Sequence, residues 1–386
     1  MPPTQILLSA GEASGDMYAA CLAAELKKRA DVAIFGMGGA QMRAAGVETT
    51  TDYSEVAVLG ITEILKHLPQ LRRAMRNLVG ETRSRKPALA ILTDFPGFHL
   101  RLARKLKPLG VKNVYYICPQ FWAWRPWRAN LVRRRFALAL CIFPFEEKFF
   151  ADAGVPVKFI GHPLVGQVRA TLSRQEFASK HGLRESCRTI TILPGSRSGE
   201  IARHLPTLVE SCRELERQHP GQYNFVMALA AETNLGEIRA MMGALPSLAV
   251  VQGDTYNALA AADAAIICSG TATVEAALLD TPMVVVYEVS KLTALLAKPL
   301  IRTRFFGMVN LIAEKEVAPE LIQERFTPHN VALEVRNLLE PSRAAQAHTD
   351  LAEVRRRLGP PGAVERAAEA ILSLLPGVAK ASGNAS

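Results

Sequence analysis

Short apolar runs, each followed by an amphipathic stretch, recur along the chain. The first set is QILLSAG, VAIFGMG, LAILTD, VYYIC and LALCIF; TITILPG, NFVMALA, LAVVQG, AAIICSG and PMVVVYEV repeat the pattern after Val165. Runs that do not alternate with polar residues predict strands buried on both faces, as in a parallel sheet. Helical periods fill the gaps, for example GDMYAACLAAELKKR and TLVESCRELERQH. Strand–helix alternation of this kind predicts α/β layers joined by right-handed crossovers. The rhythm breaks at FIGHPLVG, residues 159–166, where Gly161, Pro163 and Gly166 interrupt it. The pattern therefore predicts two doubly wound domains, 1–165 and 166–340, facing each other across a cleft. From Asn330 onward NVALEVRNLLE, RAAQAHTDLAEVRRRL and GAVERAAEAILSLL follow one another with no strand between. Helices over 341–376 fit either packing back on the first domain or exchange with a second subunit in a homodimer. Residues 377–386 read as a frayed tail.

Composition agrees with a folded protein of two cores: 386 residues, 49% hydrophobic and 21% charged. No apolar run reaches the roughly 18 residues that span a bilayer. The start, MPPTQILLSAG, lacks the basic and long apolar segments of a signal peptide, which predicts a chain kept inside the cell. The six cysteines never form CxxC and read as buried, reduced thiols. No HExxH and no DxD offers a metal site. Charge changes the picture more. The net charge is +10, and all of that excess lies within residues 1–165, the remainder being balanced. Such asymmetry predicts a polyanionic partner: an anionic membrane surface, a phosphorylated substrate or nucleic acid. Nothing resembles an RRM, KH or basic-zipper pattern, which argues against nucleic acid.

Ligands of open parallel sheets sit beyond the carboxyl ends of the strands, and four such ends carry unusual residues. SAGEASGD brackets a turn with Gly11 and Gly15; Ser14 or Asp16 is placed to cap the next helix, and Glu12 adds a carboxylate. In LTDFPGFHL, Asp94 follows a buried run and Pro96 starts a helix. Asp94 fits a helix cap or a general base for a hydroxyl, with His99 a lesser candidate for the latter. ILPGSRSGE puts Ser196 and Arg197 at a helix start, a good anion site. CSGTATVEAALL leads Ser269, Gly270 and Thr271 into a helix start, with Glu275 one turn in and within reach of a ribose. Neither GxGxxG nor a Walker loop is present. Finally, WAWRPWR holds every tryptophan of the chain, Trp122, Trp124 and Trp127, threaded with Arg125 and Arg128.

GEASGD, GMGG, TDFPGF, WAWR, FPFE, FIGHP, LPGSR, SGTATVE and MVNLIA, in that order across residues 11–313, resemble the lipid-A-disaccharide synthase family. The resemblance implies a GT-B fold of two Rossmann-like domains. It implies a metal- and cofactor-independent enzyme that joins UDP-2,3-diacylglucosamine to 2,3-diacylglucosamine 1-phosphate (lipid X). The products are UDP and a β-1,6-linked disaccharide 1-phosphate. By motif, the family's functional residues fall on Asp94, Glu12, Arg197, Glu275 and Asn310. Gly97 and His99 stand where many relatives carry a second acid and an asparagine, and MVN replaces the more usual LPN before Leu311.

An α-linked donor and a β-linked product imply one in-line displacement. Asp94, assisted by Glu12, is the expected base, while Arg197, Ser196 and the Ser269–Thr271 turn receive the diphosphate. Acylated substrates imply work at the inner face of the inner membrane. On that side we expect Ser14, Trp122, Trp124, Arg125 and Trp127, with the amphipathic stretch carrying Ile64, Leu65 and Leu68 dipping into the interface. Two rival readings remain at this point, a UDP-sugar epimerase and a non-catalytic nucleotide-sugar sensor.

Overall fold

The computed structural model describes residues 2–55, 68–231, 233–236, 238, 248–290 and 303–375. The chain divides into two compact units: 1–163 with 360–386, and 164–359.

The first unit is built on β1 (Thr4–Ala10), β2 (Val32–Gly38), β3 (Glu48–Asp52), β4 (Leu89–Thr93), β5 (Lys112–Tyr116), β6 (Leu138–Cys141) and β7 (Val157–Phe159). These described strands form one sheet in the order β3-β2-β1-β4-β5-β6-β7. All its pairings are parallel. From Ile6 to Ala10 every residue of β1 is buried, as is the whole of β4. Leu7, Phe35, Ala90, Leu92 and Tyr115 join the core on one side of the sheet. The chain winds outward from β1 to β3, then returns to lay β4 on the other side of β1. The topological switch point thus lies between β1 and β4, where Ala10 pairs with Thr93.

The second unit repeats the plan with β8 (Arg188–Leu193), β9 (Tyr223–Leu229), β10 (Leu248–Gln252), β11 (Ala264–Cys268), β12 (Met283–Tyr287) and β13 (Glu320–Ile322). Their order is β10-β9-β8-β11-β12-β13, again parallel throughout. Its switch point falls between β8 and β11, where Ile267 pairs with Leu193. All seven residues of β9 are buried, and Ile190, Phe225, Ile266 and Val284 join one core with Leu205, Leu208 and Val331.

The C-terminal helices do not act as one segment. Pro328–Leu339 and Pro341–Arg357 pack within the second unit, whereas Ala363–Leu372 returns to the first and lies on the helix Ala13–Arg29. Arg366 in that last helix ties the return down. Its guanidinium donates to the carbonyls of Ile160 at 2.8 Å, Pro361 at 2.8 Å and Pro360 at 2.7 Å. All six cysteines are free, and all but Cys21 are buried.

Candidate active site

The four motifs turn out to be the four loops that flank the two switch points. In the first unit, the loop after β1 carries Glu12 and the loop after β4 carries Asp94. Phe95 packs so tightly on the first loop that a Cβ on Gly11 would lie 2.3 Å from its ring, so only glycine fits there. Asp94 and Phe95 both adopt left-handed backbone, φ 49° and 45°. Consecutive non-glycine residues in that region cost about 1–3 kcal/mol each and persist only where the surroundings over-determine them. Two donors do so here. His99 Nδ1 lies 2.8 Å from the Asp94 carbonyl oxygen, and the Tyr115 hydroxyl donates to the same oxygen at 3.2 Å.

The helix after this loop, Pro96–Leu106, begins with proline as expected, but its cap position is Phe95, with no side-chain cap. Asp94 is free for other work. Burial pushes its carboxyl up to about 7, helped by the Glu12 charge and by a side-chain hydrogen bond with Glu12. A neighbouring carboxyl disfavours a second negative charge, which is why Glu12 adds to the effect of burial on Asp94. Ser14 donates to Glu12 Oε1 at 2.7 Å and orients the second member. Neither Ser14 nor Asp16 caps the helix Ala13–Arg29, whose cap position is Glu12 with no side-chain cap; the Asp16 carboxylate instead accepts from Gly39 N at 2.6 Å and Gln41 N at 3.0 Å, capping the next helix, Ala40–Ala44. His99 as an alternative base is also corrected. It is wholly buried, and its second nitrogen, Nε2, lies 2.8 Å from Ser9 Oγ. Burial pulls its pKa down to about 4, so the ring is neutral and fully engaged.

The tryptophans have separate fates. They follow β5, in the helix Phe121–Trp124 and the turn Pro126–Arg128. Trp122 is half-buried, edge-on to Phe145 at 4.8 Å, and donates Nε1–H to Glu146 Oε1 at 3.1 Å. Glu146, fully buried, also accepts from Phe143 N, and burial raises its pKa to about 7. Trp127 is 59% exposed, with the Arg128 guanidinium 5.6 Å from its ring centre. Arg125 is half-buried beside it. The Trp124 side chain, Ile64 and Leu65 lie outside the described residues. Leu68 opens the helix Leu68–Arg85 and is half-buried.

In the second unit the loops after β8 and β11 adjoin: Cys268 Sγ lies 3.7 Å from where a Cβ on Gly195 would stand. Gly195 has φ +128°, and Ser196 and Arg197 follow it, exposed, into the 21-residue helix Ser198–Gln218. No side chain caps that helix. The Arg197 side chain is 63% exposed, with only a 3.4 Å contact to Glu200 Oε1. Buried His204 anchors the loop from below, 2.9 Å from the Pro194 carbonyl oxygen. Across from it, Ser269 donates to the Phe306 carbonyl at 2.9 Å, and Gly270 and Thr271 are exposed ahead of the helix Ala272–Leu278. Glu275 accepts from Tyr256 OH at 3.3 Å and is pushed upward by burial.

Asn310 needs a correction. It is fully buried, with Nδ2 donating to the Ala318 carbonyl (2.7 Å) and Glu320 Oε1 (2.8 Å). Its Oδ1 accepts from Val317 N and Ala318 N at 2.8 and 2.9 Å. With both ends of the amide committed, Asn310 is a clamp and not a donor contact. Glu320, missed in the sequence, completes the clamp by accepting from the backbone N–H groups of Phe306 and Gly307. A cavity of about 300 Å³ lined by Arg174, Arg184, Cys187 and Thr189 sits at the amino end of β8. That is the wrong end of the sheet for the ligand of a doubly wound fold.

A family model described as lipid-A-disaccharide synthetase matches residues 6–373. A lipid-A-disaccharide synthase of Solibacter usitatus is 45% identical over 376 residues, covering 97% of this chain and 98% of the relative. One from Myxococcus xanthus is 43% identical over 379 residues, covering 97% and 98%. Among solved structures, the UDP-GlcNAc 2-epimerase of Neisseria meningitidis bound to UDP-GlcNAc superposes with TM-score 0.65 at 13% identity, covering 96% of this chain and all of that one. A calicheamicin glycosyltransferase superposes with TM-score 0.64 at 16% identity, covering 98% and 100%. Those distant likenesses bear on the fold alone, which is the two-domain GT-B arrangement of Rossmann-like units. They join epimerases and glycosyltransferases; the near relatives separate them.

Proposed function

Because this chain belongs to the lipid-A-disaccharide synthetase family, we propose that it transfers diacylglucosamine from UDP-2,3-diacylglucosamine to the 6-hydroxyl of lipid X, with Asp94 as general base. The observation that carries the base assignment is the carboxyl pair at the first switch point. Asp94 is half-buried beside Glu12, and burial and the Glu12 charge raise its carboxyl to about 7, near the pH at which a general base is most effective. Asp94 takes the hydroxyl proton as the alcohol oxygen attacks the anomeric carbon, and the bond to the UDP oxygen breaks. Inversion turns the α-linked donor into the β-1,6 product.

The second unit supplies the leaving-group side. Arg197, Ser196 and the N–H groups at the start of Ser198–Gln218 offer charge and donors to the diphosphate, beside Ser269, Gly270 and Thr271. Glu275, fixed by Tyr256, is placed for a ribose hydroxyl.

No helix among the described residues is long and apolar enough to cross a membrane. The lipid substrates are instead met at a surface, and the first unit carries a suitable face. Its helices Leu68–Arg85, Pro96–Leu106 and Ala129–Arg135 pack side by side and expose Arg72, Arg73, Arg76, Arg101, Arg104, Lys105, Arg133 and Arg134. Glu81 is the one acid on these three helices, and it is paired with Arg85. Such a face suits an anionic leaflet, with Trp127 as an interfacial anchor.

Incubating the purified protein with both lipid substrates and following UDP is the test. One UDP released per disaccharide formed, with or without a chelator, is expected. Interconversion of the sugar nucleotide alone, or binding without turnover, would replace this reading with one of its rivals.

A further inference from the structure

His99 has no part in the proposed chemistry, yet it is the most fully committed polar side chain around Asp94. It is entirely buried on the helix Pro96–Leu106 and reaches back past its own first turn to the strand end it follows. A carbonyl only accepts, so the 2.8 Å contact fixes the proton on Nδ1, donated to the Asp94 oxygen. Nε2 of the neutral ring then accepts from Ser9 Oγ, 2.8 Å away in β1. Phe95 and Phe98 pack edge-on against the ring, with centroids at 5.8 and 5.7 Å. Tyr115, from β5 on the far side of β4, donates a second hydrogen bond to the same Asp94 oxygen and is itself locked by stacking on Phe136 at 4.6 Å. One backbone carbonyl is therefore held by groups from a helix and a neighbouring strand, and its holder is anchored in a third element. The residue so held has left-handed backbone that it would not keep unaided.

We propose that His99 is a positioning residue for the transfer: together with Tyr115 it pins the Asp94 carbonyl, holds the left-handed turn, and so sets the Asp94 carboxyl against Glu12. The inference rests on Asp94 being the base. It predicts that what matters at position 99 is a donor at the place of Nδ1. Asparagine puts its amide nitrogen near that place, whereas glutamine puts its own near Nε2 and leucine offers none.

The test is steady-state kinetics and UDP binding for His99→Leu, His99→Gln and His99→Asn, alone and combined with Asp94→Asn. A misplaced catalytic group costs on the order of 10²-fold. His99→Leu and His99→Gln should lower kcat by roughly 10- to 10²-fold with UDP affinity unchanged, while His99→Asn restores most of the rate. In the Asp94→Asn background His99→Leu should cost nothing further. Full turnover in His99→Leu, a His99→Asn as slow as His99→Leu, or losses that add in the double variant would each overturn the proposal. Full turnover in Asp94→Asn alone is a distinct result, which removes the base and the positioning role with it. If His99→Leu fails to fold, Tyr115→Phe carries the test by deleting a single hydroxyl. A fewfold drop in kcat that vanishes beside Asp94→Asn supports the proposal, and an unchanged kcat defeats it.

Discussion

The two switch points share a topology and differ in nearly everything else. At the first, between β1 and β4, the candidate base is a half-buried carboxyl whose proton is held by burial and by the Glu12 charge, and the backbone beneath it is tied from two sides. At the second, between β8 and β11, Arg197, Ser196, Gly270 and Thr271 are exposed and the long helix lacks a side-chain cap. A group that must hold a proton at neutral pH needs low dielectric and a fixed geometry. A site that must receive a highly charged diphosphate needs unfilled donors and open access. On the proposed reading, one strand order meets both demands through the loops at its strand ends.

The contrast is broken most severely at the base. Asp94→Asn should reduce turnover by ~10²- to 10⁴-fold while UDP titration by calorimetry gives the affinity of the parent protein; equal losses in both would merge the two sites. Arg197→Ala comes next. Removing a charged hydrogen-bond donor is worth about 1.5–3 kcal/mol, so donor affinity should fall by roughly 10- to 10²-fold and the rate should fall with it. An unchanged donor affinity would take Arg197 out of the site.

Smaller effects sharpen the comparison. A base must be deprotonated to act, so with Asp94 raised to about 7 the kcat/KM profile should decline as pH falls through neutrality. Glu12→Gln removes the like charge and should move that acid limb to lower pH, though burial still holds it above the ordinary carboxylate range. A limb that stays put would show that the Glu12 charge does not act on Asp94. Gly97→Asp adds a second acid to this loop, and no atom lies within 4 Å of the Cβ it would add. It should leave the fold intact, raise the limb slightly, and add about 0.3–1 kcal/mol of stability at the helix start, read as a modest rise in melting temperature.

The layered fold was legible because both sheets are buried on two faces, which leaves continuous apolar runs such as QILLSA and NFVMAL. The strands that escaped, β3, β7 and β13, are short edge strands. β3 is ETTTD, half-exposed and without an apolar residue, so no run announces it. The loop residues of the site were legible because glycine and charge are out of place after a buried strand. What those residues do was less so. Asp16 looks like a cap for its own helix and Asn310 like a ligand group in a linear motif, and only their partners in space show a cap for another helix and a clamp. Tyr115, Glu146 and Glu320 gave no signal, because each works on a backbone or an indole distant in the chain.

The return of the last helix to the first unit bears on how the protein is made. The surface of Ala13–Arg29 that receives Ala363–Leu372 waits, during synthesis, for a segment that follows the whole second unit, and Arg366 cannot close on Ile160 before then. The second unit, by contrast, has its described strands and packing helices complete by Arg357, before that segment is made. The unit that carries Asp94 is therefore begun first and completed last, after the whole of the unit that carries Arg197.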